Sequence, residues 1–165
     1  MRLILVLIAF VSVLSSCVNA QKKALDNVLA LEDKLKLAQD ASSNRDLALE
    51  VVAAYSQFLA AYPNIESKPK LLFKSGEVLK GLGENLKAAQ YFYKVHHNFP
   101  ESKLAPLALF YQAHCFEIIE QRLTAKNTYE EFIERYPNHP YVEQAIGMIQ
   151  LLHYSDEDLI KQFEK

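Results

Sequence analysis

Three aromatic-proline pairs recur at one fixed interval: Tyr62-Pro63, Phe99-Pro100 and Tyr136-Pro137, with 37 residues from each proline to the next. Proline cannot continue a helix and drives the residue before it out of the helical region, so each pair ends a helix at the same point of a repeating unit. Other positions keep the same period. Eight residues before each proline stands Tyr55, Phe92 or Tyr129, twelve before stands Val51, Ala88 or Ala125, and five before stands Phe58, Val95 or Phe132. Spacings of three, four and seven put these three positions of each unit on one helix face. Pro69 and Pro106 are also 37 residues apart. Each is placed for the first turn of a helix, where a missing N–H costs little.

These features predict an all-α chain. Only 4 Gly and 6 Pro occur in 165 residues, a balance that favours long helices over sheets with tight turns. Helices are expected over 24–41, 45–61, 67–82, 84–98, 103–120, 122–135 and 140–153, with turn and capping chemistry between them. Small residues at Gly76, Ala88, Ala113 and Ala125 let paired helices approach closely, and rings at Tyr55, Phe92, Phe116 and Tyr129 fill the space between them. One helical pair cannot bury its apolar face alone, so pairs stack into an array, an α-solenoid with a concave and a convex side. Ser155-Asp156-Glu157-Asp158 resembles a capping box, which predicts a short capping helix within 154–165.

The front of the chain reads as an address. After Arg2 comes an apolar run of twelve residues, Leu3 to Leu14. About 20 residues of helix are needed to cross a bilayer, so the run is expected to be a signal-peptide core, over 1–16. Leu14-Ser15-Ser16-Cys17 resembles the bacterial lipobox, in which the cysteine is acylated and becomes the first residue of the mature chain. On that reading Cys17 carries the fatty chains, 17–44 is a lipid-attached linker and leader helix, and 45–153 holds the repeats. Val18-Asn19-Ala20 before Gln21 also fits ordinary signal cleavage, which would remove Cys17 and leave a secreted or periplasmic protein.

Chemistry is not expected. The formal charge is -2, from 18 basic and 20 acidic residues, which gives no stripe for a phosphate backbone and argues against nucleic acid. Gly81-Leu82-Gly83 has no preceding strand and meets Leu86 where a phosphate-binding turn needs a third glycine. Cys115 has no cysteine partner in a mature chain, and its neighbour His114 points about 100° away on a helix, so Cys115 reads as a small buried hydrophobe. His96 and His97 diverge in the same way, and His139 and His153 lack partners at metal-ligand spacing. Glu130, Glu131 and Glu134 read as a solvated face. No catalytic, cofactor or metal residues are assigned, and the chain is expected not to be an enzyme.

The recurring positions resemble the tetratricopeptide repeat, through Leu72, Gly76, Leu79, Ala88, Phe92 and Pro100 in one unit and Leu109, Ala113, Phe116, Ala125, Tyr129 and Pro137 in the next. An earlier unit keeps Val51, Tyr55 and Pro63, although its first helix aligns only with a gap. The unit is longer than the usual one by three residues, and the family's tryptophan is replaced by leucine. The resemblance implies a protein-binding scaffold whose partner lies along the first helix of each pair. Carried over by register, that groove comprises Lys70, Phe73, Glu77 and Lys80, then Leu107, Phe110, His114 and Glu117. Phe73 and Phe110 would be apolar anchors, or else would pack between pairs; Lys70, Lys80 and Glu117 would set register and partner choice. With the export signal, the chain resembles the periplasmic tetratricopeptide lipoproteins of the outer-membrane β-barrel assembly machinery, its D-component family in particular. That implies a lipid anchor in the outer membrane, facing the periplasm, and other envelope proteins as partners. A glycan or peptidoglycan binder is the alternative.

Overall fold

A computed structural model describes residues 2–38 and 44–153, with side chains over 19–38 and 44–152. Among these residues the chain is helical throughout, with no strand: α1 (Arg2–Leu37), α2 (Arg45–Ala61), α3 (Lys68–Gly81), α4 (Asn85–Asn98), α5 (Ala105–Ile118), α6 (Arg122–Arg135) and α7 (Val142–His153). It divides into two compact units, Met1–Ile65 and Glu66–Lys165. The expected all-α repeat array is the observed fold. The expected helix over 24–41 belongs to a longer one, because α1 runs unbroken from Arg2 through Cys17 to Leu37. The predicted capping segment 154–165 lies outside the described residues.

The prolines end helices as the sequence requires. Tyr62, Phe99 and Tyr136 close α2, α4 and α6 with ψ of 69°, 58° and 56°, each donating its N–H to the carbonyl four residues back. The next residue in each case is the proline that forbids a helical ψ. At the other end Pro69 and Pro106 occupy the first turn of α3 and α5.

In the first unit α2 packs on α1 through Val51, Tyr55 and Phe58, with Val28 and Glu32 buried on the α1 side. The Tyr55 hydroxyl donates to Glu32 Oε2, and Lys36 Nζ lies 2.7 Å from the other carboxylate oxygen. A buried carboxylate is tolerable only with such partners. The last part of α1 is therefore the first helix of a pair.

In the second unit each helix from α3 to α7 packs on the next. The recurring positions on α4 and α6 are interior: Ala88, Phe92, Val95, Ala125, Tyr129 and Phe132 are each 0% exposed, whereas Phe116 on α5, expected to fill the space between helices, is only half-buried. A Cβ added at Gly76 would sit 2.7 Å from the Phe92 ring, so the glycine is the seat that lets this ring lie between α3 and α4. In the following pair Ala113 and Tyr129 belong to one buried cluster with Leu109, Phe110 and Phe132.

The turns inside the two pairs also match. Gly83 and Glu120, 37 residues apart, are both left-handed, with φ of 76° and 59°. The N–H of Glu84 reaches the Leu79 carbonyl and that of Gln121 reaches Phe116, both at 2.9 Å, which satisfies carbonyls at the ends of α3 and α5. Open space surrounds Gly83, so strain alone opposes a side chain there. Gly83→Ala should therefore cost about 1 kcal/mol, while Glu120→Gly should be neutral or stabilising by up to about 1 kcal/mol. Urea unfolding of the two variants checks the opposite signs.

Candidate protein-binding surface

Two of the eight groove residues expected from the repeat register lie in the core instead. Phe73 and Phe110 are 5% and 3% exposed. Phe73 packs against Phe92 and Tyr111 with ring centroids 5.4 and 5.8 Å away. Phe110 meets Tyr129, Phe132 and Tyr141 at 5.5, 5.4 and 5.0 Å. They fill the space between helices, the second of the two roles open to them from sequence. Each step along α5 turns about 100°, so it is the next residue, Tyr111, that emerges at the edge of this ring cluster.

Tyr111 was not singled out by sequence, yet it organises the surface the other residues form. It is half-buried, and Lys80 Nζ stands 5.0 Å from its ring centroid. Burial raises its hydroxyl pKa, with Tyr141 and Glu77 adding to the effect, so it remains a neutral phenol. Lys70 and Glu77 are exposed on α3, two helical turns apart, and Leu107 and His114 are half-buried at the corresponding positions of α5. Lys80, Glu77 and Tyr111 are brought together; no contact joins Lys70 to Leu107 among the interactions described. Glu117 is engaged within the fold, accepting from the Tyr129 hydroxyl at 2.7 Å, with His114 Nδ1 3.5 Å from the same oxygen. Burial and that carboxylate drive the Tyr129 hydroxyl pKa far upward.

Beneath the next interface lies a buried imidazole. His96 is 3% exposed; its Nε2 lies 2.7 Å from Gln112 Oε1 and its Nδ1 lies 3.4 Å from Arg135 Nη1, which also donates to Glu131 at 2.7 Å. A guanidinium can only donate, so Nδ1 accepts and Nε2–H donates to Gln112: the ring is neutral. Burial lowers its pKa below the ordinary 6.5, with the Arg135 and His97 charges acting the same way against Gln112 and Glu131. The Cys115 thiol is buried and pushed up to about 11 by desolvation, which leaves it protonated and a poor nucleophile at neutral pH. Among the described residues no three His, Cys, Asp or Glu side chains gather around one possible ion position.

The helical pairs with their buried rings and small-residue seats define a helical-repeat binding protein, a class whose use is to present a surface to other proteins. Residues 70–102 and 107–139 match the tetratricopeptide repeat family model, spans that hold α3 with α4 and α5 with α6. No curated protein matches the chain.

Phe73→Ala and Phe110→Ala should each cost about 3 to 5 kcal/mol, read from the melting or urea midpoint. The buried His96 sets a pH dependence. Its folded pKa is lowered, so its contribution is complete above the unfolded value of 6.5 and is lost as pH falls towards the folded value. Unfolding free energy should decline as pH falls from about 7 through the unfolded value and below it, and His96→Gln should flatten that slope.

Proposed function

We propose that the chain is a non-catalytic scaffold that holds a peptide segment of a partner protein along the solvent side of α3 and α5. What supports this reading most is the strip on two consecutive tetratricopeptide repeats that carries Lys70, Glu77 and Lys80 beside Tyr111 and His114. Both signs of charge and an aromatic edge suit an extended or helical peptide with one apolar anchor. Tyr111 takes the anchoring role that the core positions of Phe73 and Phe110 deny to those rings. Leu107 adds an apolar step, and Glu117 acts indirectly by fixing Tyr129.

We further propose that this scaffold belongs to a bacterial envelope, tethered to the outer membrane by fatty chains on Cys17 and facing the periplasm, with other envelope proteins as partners. The Leu14-Ser15-Ser16-Cys17 run, at the end of the apolar segment Leu3 to Leu14, supports that placement. A single acyl chain anchors only marginally, and two or more make a stable tether. Radiolabelled palmitate should enter the protein in producing cells, persist in Cys17-containing Cys115→Ala, and vanish in Cys17→Ala. Label persisting in Cys17→Ala would end the lipoprotein reading.

A photo-reactive amino acid placed at Lys70 or Glu77 in intact cells should cross-link to a protein partner, while one at Glu130 on α6 should not. Lys70→Glu combined with Glu77→Lys should weaken that partner's binding by about tenfold or more with the melting temperature unchanged, since both side chains are exposed. Recovery of glycan strands alone would replace the protein-scaffold reading with the glycan-binding one.

A further inference from the structure

An apolar opening lies elsewhere on the repeats, between α4 and α5. It encloses about 280 Å³ and is lined by Leu86, Ala89 and Tyr93 on α4 and by Gln112 and Phe116 on α5, with Lys94 at its border. Gln112 and Phe116 lie roughly 140° around α5 from the side bearing Tyr111 and His114, so this opening is separate from the strip on α3 and α5. Leu86 and Tyr93 are 52% and 44% exposed, although a helix packed on both neighbours could have kept such side chains covered. The walls are almost wholly apolar, and the Gln112 amide, held by His96, supplies the polar spot.

The charge around it selects the occupant. No Asp or Glu occurs between Asn85 and Asn98, a stretch that carries Lys87, Lys94, His96 and His97. Lys87 is paired with Glu84 at 3.0 Å and His96 is buried and neutral. Lys94 is exposed, braced 4.8 Å over the Tyr91 ring. An apolar hole beside a braced ammonium, on a helix without carboxylates, is complementary to an apolar side chain with a carboxylate next to it.

We propose that the α4–α5 opening is a second docking site, which takes one leucine- or phenylalanine-sized side chain from an acidic peptide of a partner protein, with Lys94 meeting the adjoining carboxylate. The site is independent of the strip on α3 and α5 and can be occupied together with it. Exposed Leu86 and Tyr93 extend the contact along the peptide.

The test uses a fluorescent, terminally capped peptide of glutamates with one central phenylalanine, titrated with the full chain and read by anisotropy. Saturable binding is expected, weakened about tenfold or more when the phenylalanine becomes alanine. Lys94→Glu and Tyr93→Ala should each weaken it to a similar degree with far-ultraviolet dichroism unchanged, because both side chains are exposed; Tyr93→Ala also gives up ring contacts with His96 and His97, so its binding is read well below its own melting transition. Added salt should weaken it, and Lys70→Glu with Glu77→Lys should leave it intact. Four results would overturn the proposal: no binding, binding indifferent to Lys94→Glu, binding lost with the α3 reversal, or concentration-dependent self-association abolished by Tyr93→Ala. The last would assign the opening to a second copy of the chain. Lys70 and Glu77 serve only the strip, so failure here leaves the peptide-scaffold reading untouched.

Discussion

One buried ring per helical pair holds this fold together, and everything on its surface follows from how that ring is seated. Tyr55, Phe92 and Tyr129 stand at the same position of successive units and are each 0% exposed. A ring of this size brings a large apolar area out of water, and it does so only if the partner helix yields space. Gly76 yields it to Phe92, leaving no room even for a methyl group. The pairs then stack through Phe73 and Phe110, whose rings bridge from one pair to the next.

Whether the ring carries a hydroxyl decides what the partner helix must offer. Tyr55 is met by Glu32 and Tyr129 by Glu117, because a phenol at zero exposure needs an acceptor. Phe92 needs none. At the position 37 residues before Glu117 stands Lys80, released from that duty and placed over Tyr111 instead. The difference between the two repeats in the core thus reaches the solvent-facing strip, where one repeat offers a cation and the other an occupied carboxylate.

Much of this was legible in the sequence, since the 37-residue recurrence marks the helix ends, the interior face and the class of fold. Four things were not. The family register left Phe73 and Phe110 open between groove and core, because a shift of one residue on a helix moves a side chain about 100°, and the edge belongs to Tyr111. The partner of Tyr55 was hidden because Glu32 lies 23 residues upstream, whereas Glu117 lies 12 residues before Tyr129, and that offset is the gap that spoiled the first unit's alignment. Glu120 gave no hint by type that it occupies a left-handed position; only its spacing from Gly83 could have shown it. The buried His96 had no signal at all, because its burial depends on Gln112 and Arg135 arriving from two later helices.

The dependence of partner-helix chemistry on the ring is most directly measured by a double-mutant cycle at Tyr129 and Glu117, built from the residues the preceding repeat uses. Tyr129→Phe, Glu117→Lys and the double variant would be unfolded in urea alongside the parent chain. If the hydroxyl and carboxylate specify each other, Glu117→Lys costs less stability in the Tyr129→Phe background than alone, with a coupling of about 1 kcal/mol or more. Additive losses, within about 0.3 kcal/mol, would contradict it and reduce the matched pairs to coincidence.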